Sequence, residues 1–235
     1  MSERRSHPSM PASPKTVGSL ASCTLLNHPF SQAECDVIEF RLDGLVRSLP
    51  EVKNKLIELK QSPLQTLITA RCPTEGGENE LTLEQRSQLL MGLSPLATFV
   101  DIELANLEAM AETARYAQSM NALVIASFHD FKKTPTADIL RDKIKQSIDQ
   151  GADIAKIAVF HNSIDDIHTC AQVLQEGHSI AVSLMGMGSL APSSRLLYAQ
   201  LGSVLNYGYI GKKSTAPGQW PAEMLHQAIQ NSPQF

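Results

Sequence analysis

A lysine in the middle of a short apolar segment is the strongest chemical signal in the sequence. The segment Asp153-Ile-Ala-Lys-Ile-Ala-Val-Phe160 is typical of a buried strand. Lysine is rarely buried unless something requires it, and burial disfavours the ammonium form. A neutral amine is the nucleophile that forms an imine with a ketone or an aldehyde, so Lys156 is a candidate catalytic residue. The position alone leaves open a lysine that reaches solvent or pairs with a carboxylate.

A histidine at the end of another apolar segment is a candidate for proton transfer. His129 ends the run Val124-Ile-Ala-Ser-Phe-His129, and histidine is the usual acid–base group near neutral pH. Glu75 lies in a glycine-containing segment that follows Arg71, and we expect it to orient the histidine. A structural histidine is the alternative.

Three charged residues near predicted strand ends are candidates for binding a polar ligand. Glu39 and Arg41 are two positions apart, which puts both on one face of a strand. Arg71 ends a further apolar segment, and its planar guanidinium suits the recognition of hydroxyl or carboxylate groups. A structural ion pair between Glu39 and Arg41 is the alternative.

Two later segments complete the candidate site. A glycine-containing loop leads to a predicted helix near Pro192, where backbone donors and Arg195 favour an anion. Met185 and Met187 in this segment are either apolar walls of the site or core residues. Residues 212–219 are small and polar and contain a Pro-Gly pair, so we predict a mobile lid there, with a simple surface turn as the alternative.

Strand-like and helix-like segments alternate along the chain and predict how these residues are brought together. The eight predicted strands cover residues 20–26, 36–42, 64–71, 99–104, 122–129, 154–160, 179–185 and 205–210. Predicted helices cover residues 81–93, 104–120, 136–150, 163–176 and 192–201. This order predicts a single-domain α/β protein with a (β/α)8 barrel, in which functional residues lie at the carboxyl ends of the strands. A doubly wound open sheet is less favoured because no phosphate-binding glycine motif follows a strand.

Composition excludes several classes of partner and bounds the fold. The net charge of −4 gives no general reason to expect nucleic acid or an anionic membrane as a partner. The four cysteines are scattered without metal-ligand spacing, which favours reduced thiols in a cytoplasmic protein. No apolar run approaches the roughly 20 residues that span a bilayer. Residues 1–17 are rich in proline and serine, so we predict a disordered tail, with the barrel covering residues 18–235.

Taken together, six short stretches resemble the type I 3-dehydroquinate dehydratases, the Schiff-base enzymes of the shikimate pathway. Any one of them is weak, but they occur in the order of the family from about residue 20 onward. The stretches are Glu39-Phe-Arg41-Leu-Asp43, Thr69-Ala-Arg71 with Glu75-Gly-Gly77, Ser127-Phe-His129-Asp-Phe131, Lys156-Ile-Ala-Val, Met185-Gly-Met187 with Ser194-Arg195, and Ala216-Pro-Gly-Gln219.

The resemblance implies a role for each matched residue. Lys156 would form the imine with 3-dehydroquinate, His129 would transfer protons, and Glu75 would partner the histidine. Arg195 would anchor the carboxylate of the substrate. The remaining matches would hold the ring hydroxyls or form the closing loop: Glu39, Arg41, Arg71, Ser214, Thr215 and Gln219. The resemblance also implies a homodimer that uses neither a metal ion nor an organic cofactor.

Two other functions remain open from the sequence. A different lysine-imine barrel enzyme, such as a class I aldolase, would share Lys156 but gives no special reason for His129 together with Arg195. A non-catalytic barrel that binds a hydroxy acid would have no need of the lysine and the histidine.

Overall fold

The computed structural model of the chain describes residues 11, 13–212 and 214–232. Most of the predicted tail, residues 1–10 and 12, lies outside this range, and so does residue 213 of the predicted lid.

A parallel sheet, curled into a nearly closed barrel, organises the chain. Its strand order is β7-β6-β5-β4-β3-β2-β1-β8, and every pair of neighbouring strands is parallel. Within the described residues the eight strands are β1 (Lys15–Leu20), β2 (Val37–Arg41), β3 (Gln65–Thr69), β4 (Phe99–Glu103), β5 (Leu123–Asp130), β6 (Ile154–Phe160), β7 (Ala181–Met187) and β8 (Leu205–Tyr209). The predicted (β/α)8 barrel is confirmed.

Helices cover the outer face of the sheet, with their apolar residues packed against the strands. In the part of the chain that the structure describes, the α-helices are α1 (Leu42–Leu45), α2 (Leu49–Leu59), α3 (Leu83–Leu93), α4 (Leu104–Leu107), α5 (Ala111–Ser119), α6 (Ala137–Asp149), α7 (Ile164–Gln175), α8 (Ala191–Gln200) and α9 (Ala222–Gln230). None of these helices is both long and apolar enough to cross a membrane.

The single helix predicted for residues 104–120 is wrong, because the structure has two. The chain leaves the α conformation at Met110 (φ −105°, ψ 21°), between α4 and α5. Met110 is buried in the core at this break.

The first predicted strand, residues 20–26, is also wrong. The structure has β1 at Lys15–Leu20, followed by a short 3-10 helix at Cys23–Leu25. The strand therefore includes residues 15–17, which the sequence assigned to the tail. Gly18 obscures the pattern because it has no side chain, yet a Cβ there would come within 2.6 Å of Ile210. Among the described residues, this 3-10 helix is the only helix between β1 and β2.

The barrel interior changes from apolar to polar toward the carboxyl ends of the strands. In β4, Phe99 is followed at two-residue intervals by Asp101 and Glu103, and all three are buried. In β6, Lys156 lies between Ile154 and Ala158, two members of the apolar interior cluster. Alternate residues of a strand share a face, so these charged side chains point into the barrel. Because the strands are parallel, their carboxyl ends meet at one end of the barrel, and the charged side chains lie there together.

Side chains complete the closure between β7 and β8, which do not pair as neighbouring strands within the described residues. The Ser183 hydroxyl donates to the Leu205 carbonyl at 2.6 Å. The guanidinium of Arg195 donates to the carbonyls of Gly186 in β7 and Tyr207 in β8. These bonds satisfy carbonyl groups that would accept hydrogen bonds from backbone N–H groups if β7 and β8 were regularly paired.

The contact between β8 and α9 yields a prediction about stability. A Cβ added at Gly208 would lie 2.4 Å from the Cα of Ala222, so Gly208→Ala must push the helix away from the barrel. We expect a loss of about 1–3 kcal/mol in the free energy of unfolding, as for overpacked cores. Thermal denaturation would show this as a fall of roughly 2–4 °C per kcal/mol.

Gly92→Ala is the matched control because no atom lies within 4 Å of a Cβ there, in α3. This variant should gain roughly 0.5–1 kcal/mol, the usual difference between alanine and glycine inside a helix. A Gly208→Ala protein as stable as the parent would contradict the close packing of α9.

Candidate active site

A pocket opens at the carboxyl end of the barrel, and eleven of the twelve predicted site residues line it. They are Glu39, Arg41, Arg71, Glu75, His129, Lys156, Met185, Met187, Arg195, Thr215 and Gln219. Ser214 does not line this pocket, but it borders the adjacent groove together with Thr215. Residues that are distant in the sequence thus converge on one site.

The amine of Lys156 lies deep in this pocket beside a carboxylate. Its Nζ atom is 2.8 Å from Oδ2 of Asp101, and its side chain is 4% exposed. Oδ1 of Asp101 contacts Arg71 at 2.8 Å and accepts a hydrogen bond from Ser127 at 2.6 Å. Burial opposes ionisation of Asp101, but the charges of Arg71 and Lys156 prevail and hold its pKa well below the usual range. Lys156 therefore pairs with a carboxylate, which is one of the alternatives that the sequence left open.

Arg71 links two strand ends to the loop after β3. Its Nη1 atom donates to Ser127 at 2.6 Å and to Glu103 at 3.3 Å. Glu103 also accepts from the backbone N–H of Cys72 at 2.8 Å and pairs with Arg86 of α3 at 2.5 Å. The loop that carries Glu75 is therefore fixed to the barrel through buried charges.

Glu39 and Arg41 do not form an ion pair with each other, although the sequence had left such a pair open as the structural alternative. Glu39 accepts hydrogen bonds from the hydroxyls of Ser19 and Thr69. Arg41 binds both carboxylate oxygens of Asp43, at 3.0 and 2.7 Å. Burial works against the charge of Arg41, but Asp43 outweighs it and raises the pKa of the guanidinium.

His129 and Glu75 form a dyad at the mouth of the pocket. Nδ1 of the histidine lies 2.7 Å from Oε2 of the glutamate. Burial lowers the pKa of His129 well below 6.5, with Arg71 and Lys156 acting in the same direction. Burial also raises the pKa of Glu75 to about 7. Both shifts favour uncharged groups, so His129 is a neutral imidazole at neutral pH.

Arg195 is a buried cation without a carboxylate partner among the described residues. It is 2% exposed and contacts backbone carbonyls of Gly186 and Tyr207. Burial lowers the pKa of Arg195 to about 10, and no neighbouring carboxylate offsets this effect. A buried positive charge in this state favours an anionic ligand.

The segment after β8 packs over the pocket. The side-chain oxygen of Gln219 accepts from the backbone N–H of Thr215 at 3.0 Å and from its hydroxyl at 2.7 Å. The N–H of Gly188 donates to the Pro217 carbonyl at 3.1 Å, which joins this segment to the turn before α8. Gln219 is thereby buried against the site, as a covering segment requires.

Sequence reasoning missed several residues of this pocket and its walls. Asp101 and Glu103 had a usable signal, because two carboxylates at strand spacing in an apolar segment repeat the pattern recognised at Glu39 and Arg41. Ser19 and Tyr207 had no such signal, since a hydroxyl or an aromatic residue is ordinary in a strand. Within the described ranges, no cluster of three or more histidine, cysteine, aspartate or glutamate residues is placed to hold a metal ion.

Comparisons of the sequence and of the structure with known proteins point to the same family. Residues 19–234 match the family described as type I 3-dehydroquinase. A 3-dehydroquinate dehydratase of Aquifex aeolicus is 35% identical over 193 residues, covering 81% of this chain and 84% of that protein. The crystal structure of the 3-dehydroquinate dehydratase from Geobacillus kaustophilus has a TM-score of 0.82 at 25% identity and covers 93% of this chain and 91% of its own. The type I enzyme from Clostridium difficile, solved with covalently modified comenic acid, has a TM-score of 0.81 at 26% identity and covers 94% and 93%.

The contact between His129 and Glu75 gives a prediction about pH. Below a pH of about 7, Glu75 is protonated and donates to Nδ1, which leaves the histidine proton on Nε2. As the pH rises through about 7, Glu75 loses its proton, Nδ1 becomes the donor and Nε2 is freed as a base. Nitrogen-15 NMR of labelled histidine should show this exchange of tautomers on a ring that remains neutral.

Glu75→Gln removes the titrating carboxyl, so this variant should show no tautomer exchange near pH 7. The prediction fails if His129 of the parent protein instead becomes an imidazolium with a pKa near 6.5.

Proposed function

The chain belongs to the type I 3-dehydroquinase family, and we propose that it dehydrates 3-dehydroquinate to 3-dehydroshikimate through a Schiff base on Lys156. The enzyme is a carbon–oxygen lyase of the 3-dehydroquinate dehydratase type. The observation that carries the proposed mechanism is the shared pocket of Lys156 and His129, which combines an amine with a neutral imidazole.

The first step joins the amine of Lys156 to the C3 carbonyl of the substrate. An ammonium form of Lys156 must first lose a proton, and the carboxylate of Asp101, at 2.8 Å, stabilises the ammonium form until then. Addition gives a carbinolamine, which loses water to form a protonated imine. His129 assists the proton transfers of this step.

The second step removes the proton from C2. Nε2 of His129 is the ring nitrogen not bound to Glu75, and it accepts this proton when Glu75 is ionised. The electron pair of the C–H bond moves into the protonated imine, which acts as the electron sink. Return of the electron pair expels the C1 hydroxyl, and the proton on His129 passes to it so that water leaves. Water then hydrolyses the imine and releases the conjugated product and the free lysine.

The charged residues around the two reacting groups account for binding of the substrate. Arg195 binds the carboxylate, since it is buried and has backbone carbonyls as its described partners. The ring hydroxyls are bound by Glu39, Arg41 and Arg71, while Met185 and Met187 form apolar walls. Ser214, Thr215 and Gln219 belong to the segment that covers the site, and we propose that it opens and closes as a lid.

The biological setting is part of the same proposal. The product is the intermediate that the shikimate pathway uses for aromatic amino acid biosynthesis, and we place the enzyme in that pathway. The described cysteines are all free, which supports a reducing compartment and a cytoplasmic location. A homodimer follows from the family resemblance. The proposed partner is the small-molecule substrate, with no metal ion, organic cofactor, nucleic acid or membrane required.

Covalent trapping tests the central step. Borohydride added with 3-dehydroquinate should reduce the imine and fix the mass of the ligand on the peptide that carries Lys156. Lys156→Met, which keeps the length of the side chain but removes the amine, should form no adduct and no ultraviolet-absorbing product. The exposed Lys132→Met is the control and should retain both. A stable adduct on another lysine would overturn the assignment.

Arg195 gives a second prediction. Arg195→Lys keeps the charge but loses the planar guanidinium, so we expect KM to rise roughly 10- to 100-fold, the equivalent of one or two charge-assisted hydrogen bonds. Arg195→Ala should raise KM further and also lower the melting temperature, because it removes the bonds between β7 and β8.

A cyclic ketone without the carboxylate separates these effects. It should bind the parent enzyme and Arg195→Lys about equally, and a preference for the parent as large as that of the substrate would contradict a carboxylate contact. Arg141→Lys, an exposed ion-pair residue, is the control for the substitution itself.

A further inference from the structure

Tyr207 is a buried residue of the pocket whose hydroxyl the fold leaves without a partner. It lies in β8, is 4% exposed and lines the same cavity as Lys156. Its Oη atom has no hydrogen-bond partner among the described residues. Buried hydroxyl groups are normally bonded, so one that is not bonded and borders a binding cavity requires an explanation.

A second buried tyrosine, Tyr198, has partners for its hydroxyl within the fold. The hydroxyl of Tyr198 lies 2.8 Å from Nε2 of His161 and donates to the Ile167 carbonyl at 3.3 Å. The fold therefore provides hydrogen-bond partners for the hydroxyl of Tyr198, which packs among the outer helices, but none for the hydroxyl of Tyr207 in the pocket.

Tyr207 lies beside the amine of Lys156. Nζ of Lys156 lies 4.1 Å from the centroid of the aromatic ring, so the ring faces the nitrogen that becomes the imine. Burial raises the pKa of the hydroxyl well above 10, and the charges of Glu39 and Asp101 add to this effect. The group thus stays protonated and is able both to donate and to accept.

The neighbouring carboxylates already have partners of their own. Glu39 accepts from Ser19 and Thr69, while Asp101 contacts Lys156, Arg71 and Ser127. Neither carboxylate accepts a hydrogen bond from Tyr207, so its hydroxyl is free to bond a group on a bound ligand.

The chemistry of the substrate restricts which group this can be. The carbon bonded to Lys156 is C3, and the ring has two carbons next to it. C2 carries only hydrogen and gives up a proton, whereas C4 carries a hydroxyl. The C4 hydroxyl is therefore the substrate oxygen attached directly beside the imine carbon, on the ring that must lie close to Tyr207.

We propose that Tyr207 is a substrate-binding residue whose hydroxyl forms a hydrogen bond with the C4 hydroxyl of the bound ring. This inference rests on the proposed function, because it assumes that the ring is attached to Lys156 through C3. It makes Tyr207 a determinant of specificity for ketones that carry a neighbouring hydroxyl. A site built to bond a hydroxyl discriminates against ligands that lack it.

Tyr207→Phe tests this role because it removes one oxygen and keeps the ring. The free variant should melt at the same temperature as the parent or higher, since the deleted hydroxyl has no partner in the fold. KM for 3-dehydroquinate should rise about three- to tenfold, the effect of one ordinary hydrogen bond. An analogue of the substrate without the C4 hydroxyl should bind the parent and Tyr207→Phe equally.

Tyr198→Phe is the matched control and should show the opposite pattern. Its hydroxyl is bonded within the fold, so the variant should melt at a lower temperature with KM unchanged. An unchanged KM in Tyr207→Phe would overturn the inference, and so would an equal loss of affinity for the analogue without the C4 hydroxyl.

The parent enzyme separates this inference from the function on which it rests. If the parent forms the borohydride adduct on Lys156 and Tyr207→Phe keeps the KM of the parent, then the role of Tyr207 alone is wrong. If the parent forms no adduct and no product, then the proposed function is wrong and this inference falls with it.

Discussion

A single buried carboxylate, that of Asp101, balances the two cations on which the site depends. One oxygen contacts Arg71 and the other contacts Lys156, each at 2.8 Å. Buried charges are costly unless they are paired and hydrogen-bonded, and removal of one partner is typically worse than removal of the whole set. Asp101 therefore permits a lysine and an arginine to share the barrel interior, and it holds the lysine nitrogen at a fixed position next to the ring of Tyr207.

The barrel supplies what these charges need, because its strands end together. Lys156, Asp101 and Ser127 come from three adjacent parallel strands, and the register pairs Ser127 with Lys156. The apolar layer below them excludes water from one side, while the loops supply Glu75 and the residues around Gln219 on the other. Arg195 has two functions in this arrangement, since it bonds β7 to β8 and also lines the pocket. Closure of the barrel and the proposed binding of an anion would thus be connected through one side chain.

The sequence predicted the barrel well because strand and helix periods differ and alternate along the chain. It failed where a residue without a side chain interrupts the period, as at Gly18 in β1, and where a helix breaks at a buried apolar residue, as at Met110. Most of the candidate site could be predicted because a charged residue in an apolar strand is conspicuous. The partner of Lys156 could not be chosen in this way, since pairing with Asp101 depends on the register of strands that are 55 residues apart. The free hydroxyl of Tyr207 depends on which neighbours are already bonded, and that is a property of the folded chain alone.

Several groups that the fold leaves incompletely satisfied face the same cavity. Arg195 has no carboxylate among the described residues, Tyr207 has no partner for its hydroxyl, and burial shifts the pKa values of His129 and Glu75 toward their uncharged forms. Tyr198 and Glu103, two buried polar residues that do not line this cavity, are bonded within the fold. Such a cavity is less stable empty than a fully paired one, and a ligand with a carboxylate, ring hydroxyls and a carbonyl would satisfy these groups together. Binding free energy would then arise at the positions where the reaction requires the ligand to be oriented.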